Sequence, residues 1–181
     1  GKLYLDDNRT PVDFKDLPEN LVNALVATED ARYYNHAGID ARGFLRALAY
    51  LGKKGGASTI SQQLARQLFI GARDKESTTN AITQKIKEWV LATQLERQYT
   101  KEEIIAMYLN IYDFGYAADG IRSAARIYFG KEPIELKVEE SAMLVGMLKN
   151  SSLFNPLRRE EMVLNRRNTV LSQMAKYGYL T

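Results

Sequence analysis

Apolar side chains recur at three- and four-residue intervals through most of this chain, the spacing that lines one face of an α-helix. After a polar, extended lead-in from Lys2 to Phe14, Leu17-Pro18 opens a helix with Leu21, Val22, Leu25 and Val26 on its apolar face. That helix runs out near Glu29-Asp30. A second is predicted from Asp40 to Leu51, stopped by Gly52 and the Lys53-Lys54-Gly55-Gly56 loop. Thr59 and Gln62 are spaced as a capping box for a third helix through Phe69. Residues 71–80, polar and rich in Ser and Thr, read as a mobile loop. Ile82, Ile86, Trp89 and Thr93 then mark one side of a long helix to about Gln98. Thr100 and Glu103 form a second capping box, for a helix to about Asn110. Asp119 caps a helix closed by Gly130, Glu139 to Leu148 forms a buried one, and the last runs from Arg159 to Tyr177 before Gly178. The pattern predicts an all-α body.

Composition narrows the chemistry. The 181 residues are 45% hydrophobic and 26% charged, one domain's worth and enough for a real core. The absence of cysteine excludes thiol catalysis, iron–sulfur clusters and Cys-ligated zinc, and the lone His36 excludes a multi-histidine metal site. The net charge of +3 is unevenly spread. Residues 1–40 carry 4 basic and 8 acidic side chains, residues 41–101 carry 11 and 4, and residues 102–181 carry 10 and 10. A basic middle third points to an anionic partner (phosphate, nucleic acid or an acidic membrane surface) or to a solvated helical face. The most apolar stretch, Ser141 to Leu148, is far short of the roughly 20 residues that span a bilayer. With Gly1 in place of an initiator methionine, the chain reads as a domain excised from a longer protein.

Carboxylates are therefore the acid–base candidates. Glu29-Asp30 sits where an apolar helix enters an aromatic, glycine-ended turn, Tyr33-Tyr34-Asn35-His36-Ala37-Gly38, a setting that desolvates a carboxylate toward general acid or base work. A frayed surface helix end is the simpler alternative. The Gly56-Ala57-Ser58-Thr59-Ile60-Ser61-Gln62-Gln63 run opens a helix N-terminus beside Arg66, an anion-binding device that lacks the Gly-Lys-Ser/Thr of a Walker loop. Lys85 and Glu88, three apart on one helix face, are either a surface ion pair or a phosphate contact with a second carboxylate. Arg166-Arg167, late in a helix, fits compensation of the helix dipole.

Together these segments resemble the five motifs of the peptidoglycan glycosyltransferases, glycosyltransferase family 51. The first, E-D-x-x-[FY]-x-x-H-x-G, is met by Glu29, Asp30, Tyr33, His36 and Gly38. The second, G-x-S-T-I-x-Q-Q, is met by Gly56, Ser58, Thr59, Ile60, Gln62 and Gln63, and the third, [RK]-K-x-x-E, at Lys85 and Glu88. The fourth is met at Lys101, Glu103, Ile104, Tyr108, Leu109, Asn110 and Gly115, and the fifth by Arg166, Arg167, Val170 and Leu171. Gln84 departs from the usual Arg of the third motif, Gln67 from an Asn after the second, and Ala106 from a Glu in the fourth.

The resemblance implies a lysozyme-like, two-lobed helical fold, a globular head with a small membrane-facing jaw. Residues 1–16 would be the lead-in and 17–181 the glycosyltransferase domain, with the jaw near 39–56 and 68–80. The basic-ringed apolar stretch Arg42 to Lys54 suits a helix lying in a membrane interface, and the 71–80 loop a cover over the cleft. It further implies polymerisation of lipid II, with Glu29 as general base and Glu88 orienting the donor site or helping hold a divalent cation. Lys85 and Arg66 would stabilise the leaving pyrophosphate. Ser58, Gln62 and Gln63 would position the sugar–pyrophosphate region, with Asp30, Thr59 and Asn110 as further substrate contacts. His36 is assigned to a structural hydrogen bond. No cofactor would be tightly bound and no residues are assigned as metal ligands, while the resemblance leaves room for a divalent cation, Mg or Mn, near the pyrophosphate. The partners implied are lipid II, the growing strand, an anionic membrane surface and moenomycin-type inhibitors, not nucleic acid, with a transpeptidase domain in the same parent chain. A peptidoglycan-cleaving enzyme of the same fold and a noncatalytic membrane-binding module are the rivals.

Overall fold

The computed structural model describes residues 10–49, 58–70 and 81–180. The described residues are helical apart from turns, short 3₁₀ segments and one isolated β-bridge between Asp113 and Asp119. The all-α expectation therefore holds among them. None of their helices is long and apolar enough to cross a membrane. The end of the second predicted helix, the lysine–glycine loop, the 71–80 loop and most of the expected jaw lie outside the described residues.

Two compact units are present, Gly1–Ala31 with Leu109–Thr181, and Arg32–Tyr108. In the first unit, α1 (Glu19–Glu29) packs with α7 (Val138–Met147) and α8 (Glu160–Lys176). The apolar face read from the sequence is the buried one. Leu21 and Leu25 of α1, Leu144 and Val145 of α7, and Val170 and Met174 of α8 are almost wholly removed from water, the main source of cohesion in such a bundle. α6 (Gly120–Phe129) begins after Asp119 as predicted, although that side chain makes no cap hydrogen bond to the helix. Gly130 and Gly178, at φ 66° and 79°, end α6 and follow α8 in the left-handed conformation that glycine tolerates best.

The second unit holds α2 (Ala41–Ala49), α3 (Ile60–Ala65), α4 (Ala81–Gln98) and most of α5 (Lys101–Ile111). α3 packs on α4 and continues from Arg66 to Ile70 as a π-helical turn. Both predicted capping boxes form. Thr59 Oγ1 accepts from the Gln62 N–H (3.1 Å), and Thr100 Oγ1 from the Glu103 N–H (3.2 Å).

The buried side of α4 differs from the one its apolar residues suggest. Ile86 is 52% exposed, as is Val90, while Glu88, Ala92 and Leu95 are buried. These three recur at helical spacing and include a carboxylate that hydrophobic periodicity assigns to solvent. Trp89 meets Phe44 of α2 edge-on, with ring centroids 5.4 Å apart.

Candidate active site

In the second unit the site is built on the start of α3. A six-residue helix gains little from its own backbone and is held by side chains. Thr59 Oγ1 donates to the Gly38 carbonyl (2.7 Å), and Gln62 Nε2 reaches the same oxygen (3.3 Å). Gly38 sits at φ 90°, where a Cβ would lie 2.9 Å from the Ala92 carbonyl carbon and oxygen. Only glycine lets the loop press this closely on α4. Thr59 and Gln62, expected at the substrate, are thus buried with their polar groups bonded to backbone. Gln63 accepts a hydrogen bond from the Tyr108 hydroxyl (2.8 Å).

Four of the expected site residues do come together. Arg66 Nε donates to one Glu88 oxygen (2.6 Å) and Lys85 Nζ to the other (3.0 Å). Lys85 Nζ also donates to Ser58 Oγ (2.6 Å). Glu88 is 1% exposed. Burial alone pushes its carboxyl up, but the hydrogen bonds and charges of Arg66 and Lys85 outweigh burial and hold it below the ordinary range. The Arg66 guanidinium is raised in return, chiefly by its bond to Glu88. Two cations share one buried countercharge. Arg66 is half exposed and Lys85 partly so, so both remain accessible to an anion.

In the first unit, Glu29 ends α1 and Asp30, buried, follows as its C-cap. Arg166 Nη2 lies 3.6 Å from Glu29 Oε1, and both side chains are largely buried. Close contact with α7 fixes Arg166, since a Cβ at Gly146 would come within 3.1 Å of its Cγ. Tyr112 shares its one hydroxyl proton between the Met147 and Leu148 carbonyls (3.1 and 2.9 Å). Burial first, then the charge of Glu29, push its phenol up to about 12. Asn110, another expected substrate contact, brackets the Val12 backbone instead, accepting from its N–H and donating to its carbonyl, each at 2.9 Å. His36 lies edge-on to Tyr33, with ring centroids 6.1 Å apart. Arg166, matched in the fifth motif but not among the expected site residues, is placed by the structure beside Glu29. Its signals in the sequence were the fifth-motif match and the Arg-Arg pair, and dipole compensation also explained the latter.

The sequence profile described as Transglycosylase matches residues 2–175. The chain belongs to the transglycosylase family. It is 42% identical over 182 aligned positions to penicillin-binding protein 1A of Escherichia coli strain K12, covering 98% of this chain and 21% of that protein. Penicillin-binding protein 2a of Streptococcus pneumoniae is 40% identical over 171 positions, 94% of this chain and 23% of its own. Penicillin-binding protein 1F of Bacillus subtilis is 38% identical over 185 positions, 100% of this chain and 25% of its own. The chain therefore spans about a fifth to a quarter of the length of these relatives. The family match agrees with the motif resemblance and with a glycosyl-transferring enzyme.

Each unit of this transglycosylase supplies a distinct chemical capacity. One presents a largely buried carboxylate beside an arginine, the other a preformed pair of cations with a hydroxyl. Among the described residues no three Asp, Glu or His side chains gather as a metal cage, and both Glu88 oxygens are already bonded to cations.

Proposed function

We propose that this chain is a peptidoglycan glycosyltransferase that polymerises lipid II into β-1,4-linked glycan strands. The carrying observation is the Arg66–Glu88–Lys85–Ser58 cluster, in which two accessible cations share one buried carboxylate. Its net positive charge suits a leaving pyrophosphate, whereas an enzyme cutting a finished, uncharged glycan backbone has no use for it. Glu29 takes the proton of the acceptor sugar's 4-hydroxyl, and that oxygen attacks the anomeric carbon of the growing strand. The bond from that carbon to the undecaprenyl pyrophosphate breaks on the opposite face, so the configuration inverts. Charge gathering on the leaving oxygen is met by Lys85 and Arg66, fixed in advance by Glu88. A divalent cation near the pyrophosphate would add positive charge there and would arrive with the substrate.

The exposed apolar residues Leu45, Leu68, Phe69, Ile86 and Val90 in the same unit support a seat on an anionic membrane, which would place the enzyme at the outer face of the bacterial cytoplasmic membrane. Moenomycin-type phosphoglycolipids, carrying a comparable phosphate, would compete there. The penicillin-binding names of the relatives support a transpeptidase domain in the parent chain.

The test is polymerisation of purified lipid II, with product length read on gels. Wild type should extend strands, and Glu29→Gln should lose nearly all activity with an unchanged circular dichroism spectrum. Shortening of mature peptidoglycan without polymer from lipid II would assign the chain to a cleaving enzyme instead. Full activity of Glu29→Gln would remove the general base from the reading.

A further inference from the structure

Behind the cation cluster lies a second polar group that the proposed reaction does not use. Lys101, first residue of α5, and Glu96, on the last turn of α4, form an ion pair at 2.7 Å with both side chains mostly buried. The same ammonium donates to the His36 carbonyl (2.7 Å) and sits 4.1 Å from the centre of the Tyr33 ring. Tyr33 closes the loop by donating its hydroxyl to the Lys101 carbonyl (2.9 Å). Ser61 of α3, fully buried, donates its hydroxyl to the Glu96 oxygen that Lys101 holds.

We propose that Lys101 and Glu96 are positioning residues for the phosphate-binding cluster: they hold Ser61, and through α3 the Ser58 hydroxyl and the Arg66 guanidinium, in register with Lys85 and Glu88. The inference rests on the functional reading above. α3 is bonded to α4 at two levels, Ser61 to Glu96 and Arg66 to Glu88. Residues 88 and 96 stand about 12 Å apart along a helix rising about 1.5 Å per residue. Without the Glu96 bond, α3 keeps its ties to Gly38, Tyr108 and Glu88 but loses the one that fixes Ser61 against the end of α4. Without its cation the mostly buried Glu96 carboxylate is left uncompensated, so it takes up a proton or turns toward water and its hold on Ser61 weakens. Lys101 is that cation, and its bonds to the Tyr33–His36 loop fix where it sits. Misplacement of a stabilising group by about 1 Å costs on the order of 10²-fold in rate, so a contact remote from the pyrophosphate can govern turnover.

The experiment compares wild type with Lys101→Met, which keeps the packing of the stem, and with Ser61→Ala, which removes one hydroxyl and leaves the ion pair. Two readouts are taken: the ¹H–¹⁵N signals of the Arg66 Nε–H and the Ser58 amide, and the kcat and KM for lipid II. In Lys101→Met both signals should move, the Arg66 signal toward its free-arginine position, with kcat reduced on the order of 10²-fold and KM changed only a few-fold. Ser61→Ala should move the same signals in the same direction with a smaller loss of kcat, and it carries the test should Lys101→Met fail to fold. Unmoved Arg66 and Ser58 signals in a folded variant, with only the melting temperature lowered, would overturn the proposal. The spectra do not depend on what the enzyme makes. A wild type that polymerises no lipid II overturns the functional reading, while the signals still decide whether Lys101 and Glu96 hold the cluster.

Discussion

Replacing Glu88 by glutamine removes the countercharge that Arg66 and Lys85 share while keeping the shape of the side chain. Its carboxylate is almost wholly shielded from water, so the two hydrogen bonds are what offset its burial. A hydrogen bond to a charged group contributes about 1.5–3 kcal/mol net. The low end applies here because Arg66 is half exposed and Lys85 partly so, and solvent screens both. Glutamine retains one neutral acceptor, which leaves an expected loss of about 2–3 kcal/mol. For a chain of this size that is roughly 4–12 °C in melting temperature. The pH dependence follows from the depressed carboxyl. Its contribution is complete above the ordinary value of 4.5 and is lost as the pH falls through the lower folded value. The gap between wild type and variant should therefore be flat from neutrality down to about pH 4.5 and close below it. Inorganic pyrophosphate should stabilise the variant more than wild type, since two cations then face it without an internal competitor. At 100 times its dissociation constant it contributes about 2.7 kcal/mol. Calorimetric melts across pH, with and without pyrophosphate, measure all three. A gap under about 1 °C at pH 7, a gap that persists in acid, or equal stabilisation of both proteins would refute the reasoning.

Three further substitutions test the frame around the site. Tyr112→Phe removes a hydroxyl whose single proton is shared between two backbone carbonyls and should cost about 1–2 kcal/mol in urea melts. Because the folded phenol is raised to about 12 from its usual 10.0, the difference should stay constant up to pH 10 and shift against wild type above it, as the unfolded chain ionises first. Gly38→Ala places a methyl 2.9 Å from the Ala92 backbone at a φ of 90°, and should lower stability by more than about 2 kcal/mol. An unchanged urea midpoint would mean the loop does not press on α4. Arg166→Met should lower kcat for lipid II roughly tenfold or more through loss of the partner of Glu29. Gly146→Ala, crowding Arg166 at 3.1 Å, should have a weaker effect in the same direction, and wild-type rates in both variants would leave Arg166 without a role in turnover.

The helices were legible where their signals are local. Thr59 and Gln62, or Thr100 and Glu103, cap a helix because two side chains three residues apart reach each other's backbone, and no distant partner is needed. Gly130 and Gly178 stop helices for an equally local reason. The face of α4 was misread because its decisive residue is a buried glutamate. Hydrophobic periodicity places Glu88 in solvent, yet Arg66, 22 residues earlier, makes its burial tolerable. That compensation is a fact of tertiary structure, and a one-dimensional pattern cannot carry it.

The site shows the same division within single motifs. A threonine hydroxyl, a glutamine amide and an asparagine amide are equally suited to a sugar and to a backbone. Ser58 and Thr59 are neighbours in one motif, but Ser58 accepts from Lys85 while Thr59 caps α3 and bonds Gly38. Asn110 is taken up by Val12, 98 residues away. What separates the two roles is the number of hydrogen-bonding partners already satisfied by the protein. A buried side chain with every partner backbone has little left for a ligand, whereas Lys85 and Arg66 each keep donors and exposure beyond their bonds to Glu88. The same criterion distinguishes Lys85 from Lys101. Both hold a glutamate at hydrogen-bond distance, but Lys101 directs its remaining donors to a carbonyl and a ring face. A lysine so occupied can order the substrate cluster without touching substrate, so its loss should register in turnover well before it registers in affinity.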